Sequence, residues 1–302
     1  MTEDKRSKIL RHFRPVHLGT SIILYFLGSG LVRYLGESLD FTVLFIGLAW
    51  MISVQLGFYF LGDHFHSPFD TGLFSNLPAR SISKEITKPD APSSLIFGSV
   101  SLLSAGAVLG VILAVQGRLN TASMIVMLFD FLLYILIVVP GISLDLSSVG
   151  EIISSIILVV IPPALAFFLQ TGDVHRLLPL GVFPLFPLHL AMILVLRLKR
   201  YSDDLKQKRT TLLVRLGWVQ GVFIHNLMVL SGFFLFGVSL LFDMPIRIIG
   251  SVFIAIPAGI ILIWYLTKLE DGAPVRWPLI TLLSLVVFFL PAYLVTYSIW
   301  IR

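Results

Sequence analysis

Residues Phe41 to Asp70 read FTVLFIGLAWMISVQLGFYFLGDHFHSPFD. From Phe41 to Leu61 there is no charged side chain, and the run is about as long as the 20 residues a helix needs to cross a ~30 Å hydrocarbon core. Asp63, His64, His66 and Asp70 then follow within a few residues. The stretch predicts a membrane-spanning helix that delivers acids and histidines to a membrane edge.

The same apolar pattern repeats along the chain. Of 302 residues, 57% are hydrophobic and 13% charged, with 24 Phe, against roughly 25% charged in an ordinary soluble domain. Nine blocks of spanning length occur: 15 to 36, 41 to 61, 93 to 116, 121 to 141, 150 to 169, 177 to 196, 217 to 241, 245 to 267 and 277 to 299. None alternates polar and apolar residues as a barrel strand would. The expectation is an all-α integral membrane protein, a single membrane domain over residues 1–302, with residues 1–14 as a basic head. That head precedes a first apolar run too long for a cleavable signal peptide.

Charge sets the expected orientation. With nine spans, 17 of the 22 Lys and Arg fall on the N-terminal side: in the head, in loops 62–92 and 197–216, and between the last two spans. Arg33, Arg118, Arg176, Arg247 and Arg302 fall on the other side. The positive-inside rule then places the N-terminus in the cytoplasm and the C-terminus outside. The formal charge of +5 is topology charge beside anionic lipid rather than a nucleic-acid footprint. Cysteine is absent, which excludes thiolate and disulfide chemistry.

The polar chemistry concentrates in the two long loops. Asp63, His66 and Asp70 are spaced i, i+3, i+7, which puts them on one face if the helix continues. They suit a polar cap where the helix meets water, or a metal site together with His64. Loop 197–216 contains the opposite-charge i, i+4 pairs Lys199–Asp203, Arg200–Asp204 and Asp204–Lys208, as on a solvated helix extension. Its excess of base also suits a phosphate-bearing partner. Asp130, His189 and His225 lie within spans, and intramembrane ionisable groups are functional candidates by default; they raise a transport reading. Trp50, Trp218, Trp264, Trp277 and Trp300 read as interfacial anchors.

Together the loops resemble the UbiA superfamily of intramembrane prenyltransferases, and most closely its dihydroxynaphthoate polyprenyltransferase branch. Gln55, Gly57, Asp63 and Phe65 stand in register with that branch's first acidic motif, followed by Pro78-Ala79-Arg80. Gly150-Glu151, Gln170-Thr171-Gly172, Leu196 to Asp204, Arg209-Thr210-Thr211-Leu212 and Arg215-Leu216-Gly217 continue the likeness. The resemblance implies a nine-helix bundle in a membrane, most simply a prokaryotic plasma membrane. It also implies transfer of a prenyl group from an isoprenoid diphosphate to an aromatic or lipid acceptor, as in quinone biosynthesis. Asp63, Asp70 and Asp204 would then hold Mg²⁺ and act as catalytic groups, while His66, Arg80, Lys84, Lys199 and Arg200 bind the diphosphate.

The sequence departs from the family at these motifs. Tyr59 and Gly62 stand where the first motif has amides, and His66 stands where it has an acid. In the second motif Leu196 and Arg197 replace the amides, Lys199 the arginine, and Arg200 an acid. A remodelled diphosphate site follows, or a catalytically inactive relative that keeps the fold and binds an isoprenoid lipid or a partner protein.

Overall fold

The computed structural model describes residues 14–65, 93–139, 149–206, 211–270 and 275–301. Among these the regular structure is entirely helical, and nine helices are long and apolar enough to cross a membrane. They are α1 (Pro15–Tyr34), α2 (Phe41–Phe65), α3 (Ser93–Val115), α4 (Thr121–Val138), α5 (Gly150–Thr171), α6 (Leu177–Leu198), α7 (Trp218–Leu241), α8 (Ile246–Leu269) and α9 (Trp277–Trp300). The chain therefore has the form of a multi-pass membrane protein. The helix starts and ends lie within a few residues of the apolar blocks. The exception with consequences is α2, which runs on to Phe65 and so keeps Asp63 and His64 on helical backbone.

Helices α1, α2, α5 and α6 form the interior. In α5 and α6, 78% of the spanning window is buried, against 11% in α3. α1 packs on α5 and α9; α2 packs on α3, α4 and α5; α6 packs on α7 and α9. One apolar cluster gathers Leu24, Leu27, Val159, Leu188, Val229 and Phe288; another gathers Tyr25, Trp50, Phe58, Tyr134, Leu158 and Leu165. Neighbouring residues of α1, and of α5, contribute to both, so these two helices are the wall that the clusters share. The last helix closes on the first, with Trp300 Nε1 donating to the Phe26 carbonyl at 2.7 Å. Large apolar side chains of the outer helices, such as Phe97, Leu128, Phe234 and Trp264, are exposed, as a lipid-facing surface requires.

Prolines shape the inner helices. A proline offers no N–H and its ring crowds the carbonyl four residues earlier. Pro162 and Pro163 are preceded by a π-helical turn over Ile156–Val160, where the Ile161 N–H bonds the Ile156 carbonyl. The turn absorbs that crowding and puts an irregular backbone just after Ser154 and Ser155. In α6 the helix is interrupted between Val182 and Leu185, at Pro184.

Without a hydrophobic drive between helices in lipid, close packing carries the association, and small residues permit it. Gly28 is the tightest such point: a Cβ there would lie 2.1 Å from the Pro163 carbonyl oxygen. Since that neighbour is backbone, Gly28→Ala must push α1 and α5 apart. We expect it to destabilise the protein by about 1–3 kcal/mol or more, read as a lowered thermal unfolding midpoint in detergent. Gly237→Ala, with nothing within 4 Å, should be neutral or stabilising by at most about 1 kcal/mol.

Candidate functional site

The start of α1, the end of α2, the start of α5 and the end of α6 lie at one end of the bundle, and each brings an ionisable side chain. At the first, Arg14 adopts a left-handed backbone, φ 45° and ψ 65°, which costs a non-glycine residue roughly 1–2 kcal/mol. Several contacts hold it there. Its carbonyl accepts from the N–H groups of His17 at 3.0 Å and Leu18 at 3.2 Å. Its guanidinium pairs with Asp63 and lies over the Tyr59 ring, 4.5 Å from the centroid. Arg14 is thus an element of the site as much as of the basic head.

The second group centres on Arg197. Its Nε is 3.6 Å from Glu151 Oε1 and its Nη1 is 3.8 Å from Asp204 Oδ2. All three side chains are buried, at 3%, 0% and 1% exposure. Ion contacts of this kind across elements are expensive to break: removing one partner of a buried pair costs about 3–5 kcal/mol, because the other charge is left uncompensated. Asp204 is carried by the short helix Tyr201–Lys206, which the i, i+4 pattern marks as a solvated extension. The structure instead turns this acid inward, because Arg197 is there to meet it.

His17 lies within electrostatic reach of both groups. It is buried, its ring centroid is 6.1 Å from that of Tyr59, and Arg14, His189 and Arg197 are near enough for their charges to act on it. Behind it, Gln55 Nε2 donates to the Tyr59 hydroxyl at 2.7 Å, Tyr59 is hydrogen-bonded to Tyr134, and Asp130 lies within electrostatic reach of both tyrosines. His189 Nδ1 meets Ser155 Oγ at 3.0 Å. His225 is also buried and meets Asn226 Oδ1 at 3.0 Å through Nδ1. The intramembrane groups marked by the sequence are therefore enclosed in protein rather than exposed to lipid.

Of the residues expected to form the site, Asp63 and Asp204 both belong to this end of the bundle. Asp63 pairs with Arg14 and Asp204 lies beside Arg197. Arg200 is half-buried and Lys199 exposed at the turn that follows α6. His66, Asp70, Arg80 and Lys84 lie outside the described residues. Asp70, one of the three Mg²⁺ ligands implied by the resemblance, lies outside the described residues; among the described residues no three His, Cys, Asp or Glu side chains group as a metal ion requires. Asp63 faces Arg14, and Asp204 and Glu151 face Arg197.

Sequence reasoning passed over Arg14, His17, Glu151 and Arg197 as site residues. The available signal was a lone acid at the start of an apolar block and a base at the end of one, both costly unless paired. No family model matches the chain, and comparison with curated proteins finds no match.

The triad is open to a direct energetic check. Arg197→Ala and Glu151→Ala should each lower unfolding stability by about 3–5 kcal/mol. The double variant should lose less than the sum of the two, with a coupling of about 0.5–3 kcal/mol. A double-mutant cycle of thermal or chemical unfolding in detergent measures it.

Proposed function

We propose that the chain transfers a prenyl group from an isoprenoid diphosphate to an aromatic or lipid acceptor at the end of the bundle where α1 and α5 start and α2 and α6 end. The N-terminus would be cytoplasmic, and the membrane a prokaryotic plasma membrane. The observation that carries this reading is the placement, at one end of the bundle, of the ends of α2 and α6 that precede the two charged loops. Arg197 lies buried among the groups there. The order of the sequence motifs supports it, as does the choice of residues. Guanidinium and ammonium groups bind phosphate oxygens well, and arginine does so through paired N–H donors.

In this reading Arg197, Lys199 and Arg200 receive the diphosphate, with Arg80 and Lys84 from the preceding loop. The donor's allylic C–O bond breaks with its electron pair leaving on the diphosphate. The allylic cation then forms a bond to an electron-rich carbon of the acceptor, which loses a proton to solvent. The cations assist by meeting charge that grows on the leaving group, and the surrounding apolar helices accommodate the isoprenoid tail. Asp63 and Asp204, two of the Mg²⁺ ligands implied by the resemblance, are already paired with arginines, and this reading routes no step through the metal.

A second reading has its own support. Pairing each acid with arginine is also what a non-catalytic isoprenoid-phosphate or partner-binding protein would need in order to keep these groups buried.

Purified protein in bilayers, given labelled farnesyl or longer isoprenoid diphosphates and phenolic or quinone-precursor acceptors, should release diphosphate and form prenylated product. Arg197→Gln should lower turnover by about 10²-fold or more, as loss of one charge-stabilising donor does elsewhere. Saturable binding without product would select the second reading. Neither binding nor product with any of these donors would overturn both.

A further inference from the structure

We infer that Arg197 is the resident cation of this site: it occupies the place between Glu151 and Asp204 that a divalent metal would need, and it receives the phosphate itself. The inference rests on the phosphate-binding reading given above and goes further, because it assigns to Arg197 a counter-charge that a metal ion would otherwise bring.

Three observations lead to it. The first is position. Arg197 comes from the end of α6, Glu151 from the start of α5 and Asp204 from the short helix beyond α6, so the guanidinium ties three elements together as a bridging ion does. The second is charge. Two carboxyl groups at 0% and 1% exposure can keep their charge where positive charge lies beside them, and Arg197 is within 4 Å of both. Arginine stays protonated throughout the accessible pH range, so this cation neither dissociates nor exchanges with the medium.

The third is unfilled donor capacity. Although Arg197 is 97% buried by its 3% exposure, its Nε and Nη2 make no hydrogen bond among the described residues. The contacts to the acids are ion contacts at 3.6 and 3.8 Å rather than short hydrogen bonds. Buried guanidinium N–H groups normally find acceptors. A phosphate or diphosphate oxygen approaching Arg197 would supply an acceptor for Nη2 in a charge-assisted hydrogen bond. Glu151 and Asp204, which face Nε and Nη1, would orient the guanidinium from the other side.

A divalent metal competes poorly for this place. Mg²⁺ wants near-octahedral oxygen ligation, usually with one or two carboxylates, and the two acids present are held on either side of a fixed cation. Removing the guanidinium should reverse the preference and expose an acidic pair to metal.

The test uses the full chain in detergent or nanodiscs with farnesyl diphosphate as probe, first in EDTA and then in millimolar Mg²⁺. The inference expects binding in EDTA within about twofold of that in Mg²⁺, and weakening by about tenfold or more in Arg197→Lys, which keeps the charge but loses the fork. Binding that requires Mg²⁺ would overturn the inference while leaving the phosphate-site reading in place; no binding in either medium would overturn that reading instead. Mn²⁺ paramagnetic resonance provides a readout independent of the lipid. The wild-type chain should show no bound Mn²⁺ that Asp204→Asn removes, and finding such an ion would overturn the inference without any need for an arginine variant to fold. Arg197→Met should gain Mn²⁺ binding that Glu151→Gln abolishes again.

Discussion

A charge placed inside an apolar bundle must have its counter-charge there too, and this requirement shapes the interior of the protein. Moving an ion from water into a low-dielectric medium costs several kcal/mol even after relaxation. Glu151, Arg197 and Asp204 meet that cost together. Their pairing links the start of α5 to the end of α6 and draws the following helix Tyr201–Lys206 inward. Arg14 and Asp63 do the same between α1 and α2. The ends of these helices are therefore fastened in two pairs by charge, α1 to α2 and α5 to α6, while the rest of each helix is held by packing.

The division between inner and outer helices follows from the same constraint. α3 and α4 and the outer faces of α7 and α8 can present Phe97, Leu128, Phe234 and Trp264 to lipid because they carry little that needs a partner. Helices α1, α2, α5 and α6 carry Arg14, His17, Gln55, Tyr59, Asp63, Glu151, Ser155, His189 and Arg197, and these must be enclosed. Backbone irregularity collects in two of these helices: the π-turn ahead of Pro162 and Pro163, and the interruption of α6 at Pro184. In lipid such backbone is tolerated only where neighbouring protein covers it, and α1, lying against α5 through Gly28, provides that cover.

The spans were legible in the sequence because a membrane makes length and apolarity nearly sufficient. Pro15, Phe41, Gly150 and Trp277 mark helix starts where the apolar blocks begin. The site was legible only in part. Asp63 and Asp204 stood out because acids near a membrane edge are uncommon, and both do lie at the polar end of the bundle. Arg14 and Arg197 were counted as topology charge, a description that is correct for most bases in loops and carries no geometry. What distinguishes Arg197 is its pairing with Glu151, from a helix start far back in the chain. Local spacing has no access to such a pair. The i, i+4 pattern around Asp204 had the same limit: it described a helix surface in water, while the side chain is 1% exposed.

Replacing metal by arginine also bears on how fast any chemistry can be. A guanidinium brings one positive charge where a divalent ion brings two. At an effective dielectric of about 20, each unit charge about 4 Å from a phosphate oxygen is worth about 4 kcal/mol. Since about 1.4 kcal/mol is tenfold in rate, one unit of missing charge at the leaving group corresponds to roughly a thousandfold. Lys199 and Arg200, following Arg197 at the end of α6, are a source of replacement charge. The exposure of Lys199 weakens it, because water and salt screen what it contributes. The same substitution favours retention: a fixed cation with open N–H donors holds phosphate through hydrogen bonds whether or not the bond to carbon breaks. On the proposed reading, binding at this site would survive without a metal more readily than turnover would, and the rate of diphosphate release is the quantity that separates an enzyme from a lipid-binding protein built on the same helices.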